Sequence, residues 1–312
     1  MEVQKFPKIT LPGLVKKNKI IVSSSDKNYF LLVKELYLSL NNTGLLNEYD
    51  FAVLDTGLDQ EQINFFRDNN VLINKAEWNV SVPNYKILGR ENLKTQVARA
   101  FLPDYFEDYK VYIWLDADMW LNDVNSFMLY EKGALNNNLT IVPQSDRAYK
   151  KNANVEWLFG FPKKIKTINY KNISRSVSKK LGRKYAFHST LNAGAFAINN
   201  NDKIWKCLQK NVQLSAKKGR IFGTDQVALA LSIYEDDLPA EFLPAYCNWM
   251  CEFHMPKFDS ENNLFVEPYL PNHSIALIHL AGLDNIRKDK SILSDIKTMD
   301  GLKIKKSLRY NV

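Results

Sequence analysis

The sequence predicts an α/β fold with a mostly parallel, doubly wound sheet, and three observations predict it. Short apolar runs alternate with segments whose apolar residues recur at helical spacing. One run, DYKVYIWLDAD, is continuously hydrophobic up to its closing acids, the pattern of a strand buried on both faces. Polar residues gather where the runs end, and in open α/β sheets ligands bind beyond the carboxyl ends of the strands.

The elements follow in order. KIIVSSSDKNY reads as a first strand that leaves the core at small polar residues, and NYFLLVKELYLSLNN as the helix after it. YDFAVLDTG is a second strand, and DQEQINFFRDNN a helix entered through Asp59. VLINKA is a short third strand, ENLKTQVARAFLPDYF a helix ended near Pro103, and DYKVYIWLDAD the fourth strand. Beyond residue 124, NNLTIVPQ reads as a further strand, and a basic, irregular region spans 145–187. FHSTLNAGAFAINNND then returns to buried-strand character. IWKCLQKNVQLSAKK and GTDQVALALSIYEDD are helical, and FLPAYCNWMCEF and HSIALIHLAG are late strands.

Composition narrows the function classes. A 46% hydrophobic content supports a real core, and no run reaches the roughly 18 apolar residues of a membrane span. The N-terminus has no apolar leader run, so a cytoplasmic chain is expected. Cys207, Cys247 and Cys251 argue for a reducing compartment, and no second ligand pair accompanies the last two as a zinc site would require. The net charge of +8 suits an acidic partner; residues 163–184 carry nine Lys/Arg and no acid. No nucleic-acid reader motif accompanies that charge, so nucleic acid is not expected as a partner.

Three strand ends converge on one edge: Ser23–Ser25, Asp55, and Asp116 with Asp118. Two carboxylates separated by one residue suit a hard divalent cation such as Mg2+ or Mn2+, and equally suit a turn or cap. A free charge after so apolar a strand is costly unless compensated, which favours the cation. Asp123 reads as a cap. His279, in ALIHLAG, is at another strand end, where an imidazole joins two carboxylates in a set that suits Mn2+. Neither phosphate-loop nor dinucleotide glycine fingerprints occur, nor the G-x-S-x-G of hydrolases.

YIWLDADMW, LNAGAFAI, FGTDQVALA, CNWM and IHLAG, in that order, resemble the metal-dependent GT-A glycosyltransferases of the glycogenin/lipopolysaccharide-galactosyltransferase type. The opening IIVSSSDKNYFLLVKELYLSL is similar to that family's first strand and helix, and the resemblance covers roughly residues 18–285. It implies a GT-A type, Rossmann-like sheet with a C-terminal elaboration. A single domain over 1–312 is then expected. Residues 18–124 form its nucleotide and metal half, 125–285 its donor-sugar and acceptor half, and 286–312 a basic tail.

The resemblance also implies roles. Asp116 and Asp118 would hold Mn2+ (or Mg2+) against a diphosphate, with His279 the third ligand. Ser23, Ser24 and Tyr29 would line the base pocket. Lys94 and Arg99 would contact sugar or diphosphate, Asn192, Ala193 and Gly194 would flank the donor sugar, and Asp55, Ala117 and Gly282 join the donor-binding set. Asp225 and Gln226 would face the reacting carbon; in its own right Asp225 equally reads as a helix cap. The family's H-x-x-G-x-x-K-P-W ending is here HLAGLDNIRK, so Arg287 or Lys288 is the candidate cation for the leaving diphosphate. Trp249 is the aromatic expected to face an acceptor. The activity implied is retaining transfer from a nucleotide sugar, UDP by default, to a glycan or lipid-linked acceptor. That acceptor is expected to be acidic or carried on a membrane that the basic segments touch. A Mg2+-dependent nucleotidyltransferase and a non-catalytic carbohydrate-binding relative are the alternatives.

Overall fold

A computed structural model describes residues 16–149 and 154–311. The N-terminal stretch read above as lacking a leader run falls almost wholly outside the described residues, as do residues 150–153 of the basic region.

The chain opens with β1 (Lys19–Asp26), α1 (Phe30–Asn42) and β2 (Tyr49–Gly57). Next come α2 (Gln60–Asp68) and β3 (Leu72–Lys75). Asp59 caps α2 as its position predicts: its side chain accepts from Gln62 N while the Gln62 side chain accepts from Asp59 N. The stretch expected as one helix over 91–106 is instead a chain of single turns. After α3 (Asn84–Ile87), two 3-10 turns (Glu91–Lys94 and Arg99–Phe101) alternate with α4 (Thr95–Ala98) and α5 (Leu102–Tyr105). Pro103 lies inside α5, near its start, rather than ending a helix. It has no N–H to give, and Phe101, at φ −120°, has already left helical geometry.

β4 (Val111–Leu115) leads through the Asp116–Asp118 turn into β5 (Met119–Leu121) and α6 (Val124–Leu135), which Asp123 caps by accepting from Ser126 N at 2.9 Å. β6 (Leu139–Pro143) follows. The region expected to be irregular contains a hairpin, β7 (Asn154–Leu158) and β8 (Phe161–Lys166), then α7 (Ile168–Ser176) and α8 (Lys179–Lys184). The fully buried β9 (Leu191–Asn199) precedes α9 (Asp202–Lys218) and α10 (Thr224–Tyr234). Of the late strand expected at 242–253 only β10 (Ala240–Phe242) and the two-residue β11 (Trp249–Met250) form, separated by a 3-10 turn. β12 (Lys257–Asp259), β13 (Leu264–Val266), β14 (Leu277–His279), α11 (Asp284–Lys288), β15 (Ser294–Thr298) and β16 (Lys303–Lys306) complete the chain.

The central sheet has seven strands in the order β10-β6-β9-β4-β1-β2-β3. Only β9 runs antiparallel to its neighbours, so the mostly parallel, doubly wound sheet of the sequence reading is present. Alternate residues of the inner strands feed two apolar layers. Tyr112 and Trp114 of β4 enter one, and Val111, Ile113 and Leu115 the other. A second sheet, β11-β14-β5, stands beyond the ends of β4 and β1 and has its own core around Trp120, Trp249 and Ile278.

Of residues 286–312, expected as a tail, the described residues 286–311 fold against the body. β15 and β16 join β12 and β13 in a four-stranded sheet. Beyond it Arg309 is buried and donates to both oxygens of Glu35 on α1, at 2.6 and 2.8 Å. The same guanidinium donates to Ile286 O and Arg287 O, so it fixes α11 as well. Removing one partner of a buried ion pair strands the other charge. Arg309→Ala should therefore lower unfolding free energy by about 3 kcal/mol in urea titrations. The half-exposed Lys290, 3.3 Å from Glu35, cannot reproduce the paired geometry.

Candidate active site

Short-range geometry, not sequence proximity, brings the candidate residues together. β5 begins one residue after Asp118, and β14 ends at His279. The antiparallel register pairs His279 with Met119, and Leu280 N donates to Asp118 O at 3.0 Å. Asp118 and His279 are thus locked side by side. On the other flank Asp116 N donates to Gly194 O at 2.7 Å, which extends the β4–β9 ladder into the site. Asp116, Asp118 and His279 each offer a ligand atom, all within 4.8 Å of one another.

Gly194 is required for this closeness. A Cβ there would meet His279 Cε1 and Met119 Cε at 2.7 Å and Asp116 Oδ2 at 3.1 Å. Any side chain would push the imidazole and the carboxylate away from their present positions.

The His279 ring is oriented from behind. Its Nδ1 is 2.9 Å from Asn248 Oδ1, so Nδ1–H donates to the amide oxygen and Nε2 is the nitrogen that faces the acids. Nε2 is 3.5 Å from Asp118 Oδ1. Asn248 is fully buried and follows the 3-10 turn Ala245–Cys247. No role was read for it from the sequence, although the CNWM stretch that contains it was noticed. Trp249, the residue expected to face an acceptor, is instead core: it is buried and donates to His254 O at 2.8 Å.

Two guanidiniums set the electrostatics. Arg99, with a side chain only 3% exposed, reaches Asp116 Oδ1 at 3.1 Å, Asp225 Oδ2 at 2.8 Å and Ala193 O at 2.9 Å, and lies over the Trp114 ring. Arg287 donates to Asp118 Oδ2 at 2.9 Å and also pairs with Asp284. Burial by itself raises Asp118, but His279 and Arg287 outweigh it and hold the carboxyl down at about 2. Asp116 is pushed upward by burial and by the Asp118 charge, against the pull of Arg99. Three carboxylates (Asp116, Asp118, Asp225) face two guanidiniums here, an excess of negative charge that a bound cation would offset.

These groups line one cavity of about 430 Å³, within the usual range of small-molecule sites of about 300–1,000 Å³. Of the residues singled out by sequence, Ser24, Tyr29, Arg99, Asp116, Ala117, Asp118, Asn192, Ala193, Gly194, Asp225, Gln226, His279, Gly282 and Arg287 line it. Ser23, Asp55 and Lys94 do not. Ser23 points to the opposite face of β1 from Ser24, as strand alternation requires, and its hydroxyl is buried without a partner. Asp55 accepts from Gly57 N and Leu58 N, both at 2.7 Å, and so shapes a turn. Lys94 pairs with Glu91 at 3.0 Å. Lys288 is exposed, which leaves Arg287 as the basic group of α11 in the cavity wall. Asp225 is not the N-cap of α10, which is Gly223, but its Oδ1 accepts from Gln226 N in the first turn at 2.8 Å while its Oδ2 pairs with Arg99.

Sequence reasoning missed Thr95, Gln96 and Gln144 in the wall. Thr95 bonds Ser24, and Gln96 Oε1 accepts from Gly223 N at 2.9 Å, which ties α4 to the start of α10. Only their place in LKTQVARAF, beside the two cations noticed there, could have signalled them.

No family model matches the chain. No curated protein matches it either. Solved structures do resemble it. The galactosyltransferase LgtC, in complex with donor and acceptor sugar analogues, aligns over 84% of this chain and 87% of its own, with 18% identity and a TM-score of 0.49. The bifunctional glycosyltransferase WbbM aligns over 76% of this chain with 16% identity and a TM-score of 0.47, and the chain spans 40% of its length. A glycosyltransferase involved in the glycosylation of the major capsid of PBCV-1 aligns over 85% of this chain and 93% of its own, with 10% identity and a TM-score of 0.42. All three are glycosyltransferases. Among the described residues no helix is long and apolar enough to cross a membrane.

Arg99 bridges two acids whose other donors are neutral, Trp114 Nε1 to Asp116 at 2.9 Å and Gln226 N to Asp225 at 2.8 Å. Arg99→Met should lower unfolding free energy by about 3 kcal/mol, and Arg99→Lys should restore only part of it, because an ammonium lacks the two-pronged geometry. Urea midpoints of the three proteins measure the ranking.

Proposed function

We propose that the cavity binds a nucleotide-diphosphate sugar with a divalent cation and transfers the sugar to a glycan or lipid-linked glycan. The observation that carries this reading is the Asp116–Asp118–His279 cluster. Its ligand atoms converge, and Asn248 holds the imidazole with Nε2 toward the carboxylates. Two hard carboxylate donors and one imidazole suit Mn2+, with Mg2+ the alternative. When bound there, the cation supplies charge compensation for a departing diphosphate.

The chain's own residues divide the remaining work. Tyr29 and Ser24, at the β1 end of the cavity, form the side on which the base and ribose fit. UDP is the nucleotide that the family resemblance implies. Arg287 is placed to share its charge with the diphosphate, since one of its nitrogens already faces the cluster through Asp118. Asn192 is buried in the opposite wall, where its side-chain amide pairs with the Tyr149 hydroxyl, and it flanks the space a donor sugar would fill. Asp225 is held by Arg99 and acts by positioning, which leaves the Gln226 amide as the polar group facing the reacting carbon. The resemblance carries retention of anomeric configuration with it.

In thermal-shift titrations UDP should stabilise the protein with Mn2+ and far less in EDTA. Asp118→Asn should abolish the metal-dependent increment. Asn248→Ala should weaken Mn2+ about 10–100-fold without unfolding the chain, because it frees the ring of His279 rather than removing a ligand. Equal nucleotide shifts with and without metal would remove the basis of this reading. Release of a sugar phosphate rather than free sugar from the donor would turn it toward nucleotidyl transfer.

A further inference from the structure

The β7–β8 hairpin plays no part in the cavity, yet its tip displays large apolar side chains to solvent. Trp157 is 64% exposed, Phe159 92% and Phe161 76%, with Leu158 close to half-exposed. Folded soluble surfaces seldom gather such residues without a partner. Leu158 and Phe161 face each other across the ladder, whereas Trp157 is on the alternate face of β7. Both faces of the hairpin are therefore apolar. A protein surface would cover one of them; a lipid interface surrounds both.

The turn itself is unusual. Phe159 and Gly160 have φ of +49° and +78°, the left-handed pair of a two-residue hairpin turn that normally takes Asn-Gly. A phenylalanine is strained there, and its ring gains no packing in the folded chain to offset the strain. Glu156 is the sole acid in 154–166, and in the strand register it is opposite Lys164. Beyond the tip the exposed Lys163, Lys171, Arg175, Lys179, Lys180 and Arg183 belong to a run without a single acid. Aromatic residues at a tip with cations behind it match the headgroup boundary of an anionic membrane.

The hairpin is also joined to the cavity. β8 runs through Thr167, which caps α7 by accepting from Tyr170 N at 3.0 Å. Asn172 of α7 then donates to Gln226 Oε1 at 3.5 Å. We propose that the 154–166 hairpin is a membrane anchor that inserts its aromatic tip into the interface of an anionic bilayer. It thereby holds the cavity rim at the surface where a lipid-linked acceptor would be presented. The acceptor clause rests on the transferase reading above; the anchor does not.

Flotation with vesicles tests it, using phosphatidylcholine alone and phosphatidylcholine containing about one-third phosphatidylglycerol. The full chain should float with the anionic vesicles, and added salt should weaken the binding without abolishing it, because the aromatic contribution is not screened. The double variant Phe159→Ser/Phe161→Ser should bind on the order of tenfold more weakly. Thermal stabilisation by UDP and Mn2+, measured on both proteins, should be unchanged by the substitutions. If it is missing in both while flotation still separates them, the transferase reading falls and the anchor stands. Absence of wild-type flotation, or equal flotation of the variant, overturns the proposal. So does self-association of the wild type that the variant abolishes, which would assign the tip to a second copy of the chain.

Discussion

The Arg99 guanidinium is buried where β4, β9 and α10 meet, and no single element can satisfy it alone. Asp116 at the end of β4, the Ala193 carbonyl of β9 and Asp225 of α10 each accept from it, and the Trp114 ring supports it from below. A charge taken out of water is tolerable only when its partners are fixed. That requirement ties the first half of the chain to its second half at one point, and the point is the wall of the cavity. The carboxylates pay for the burial of Arg99, and Arg99 in turn permits two acids to stand beside a third.

The second sheet converts that local arrangement into a defined site. Its β14–β5 register places His279 against Asp118, and Asn248, directly before β11, fixes which imidazole nitrogen faces inward. Gly194 removes the side chain that would otherwise occupy the space between them. Behind this, Arg309 holds α11 through backbone carbonyls, so the position of Arg287 depends on residues at the far end of the chain. The site is therefore assembled from segments more than 150 residues apart, yet each join is a single hydrogen-bonded register or one buried ion pair.

The parts of the fold with strong local signals were legible. Asp59 caps α2, the unbroken apolar run of β4 is central, and the polar ends of β1 and β4 meet at the cavity. What escaped lacked such signals. The hairpin turn is Phe-Gly rather than Asn-Gly, and its strands carry lysines and aromatics in no clear alternation. The strands of the C-terminal sheet are three to five residues long, too short for period two to emerge from a basic stretch. Within the site, residue type separated the candidates poorly where strand alternation decides. Ser23 and Ser24 look alike in sequence, but only one can face the cavity. Asn248 acts through His279, and no spacing reveals a contact made between neighbouring strands.

The central claim is that His279 and the two aspartates hold one divalent cation. Electron spin-echo envelope modulation of Mn2+ added to the protein with UDP reads the ligand atoms directly. The account predicts nitrogen modulation from one imidazole, lost in His279→Ala and retained in Asp225→Asn. Bound Mn2+ without nitrogen coupling, or coupling that survives His279→Ala, would contradict it.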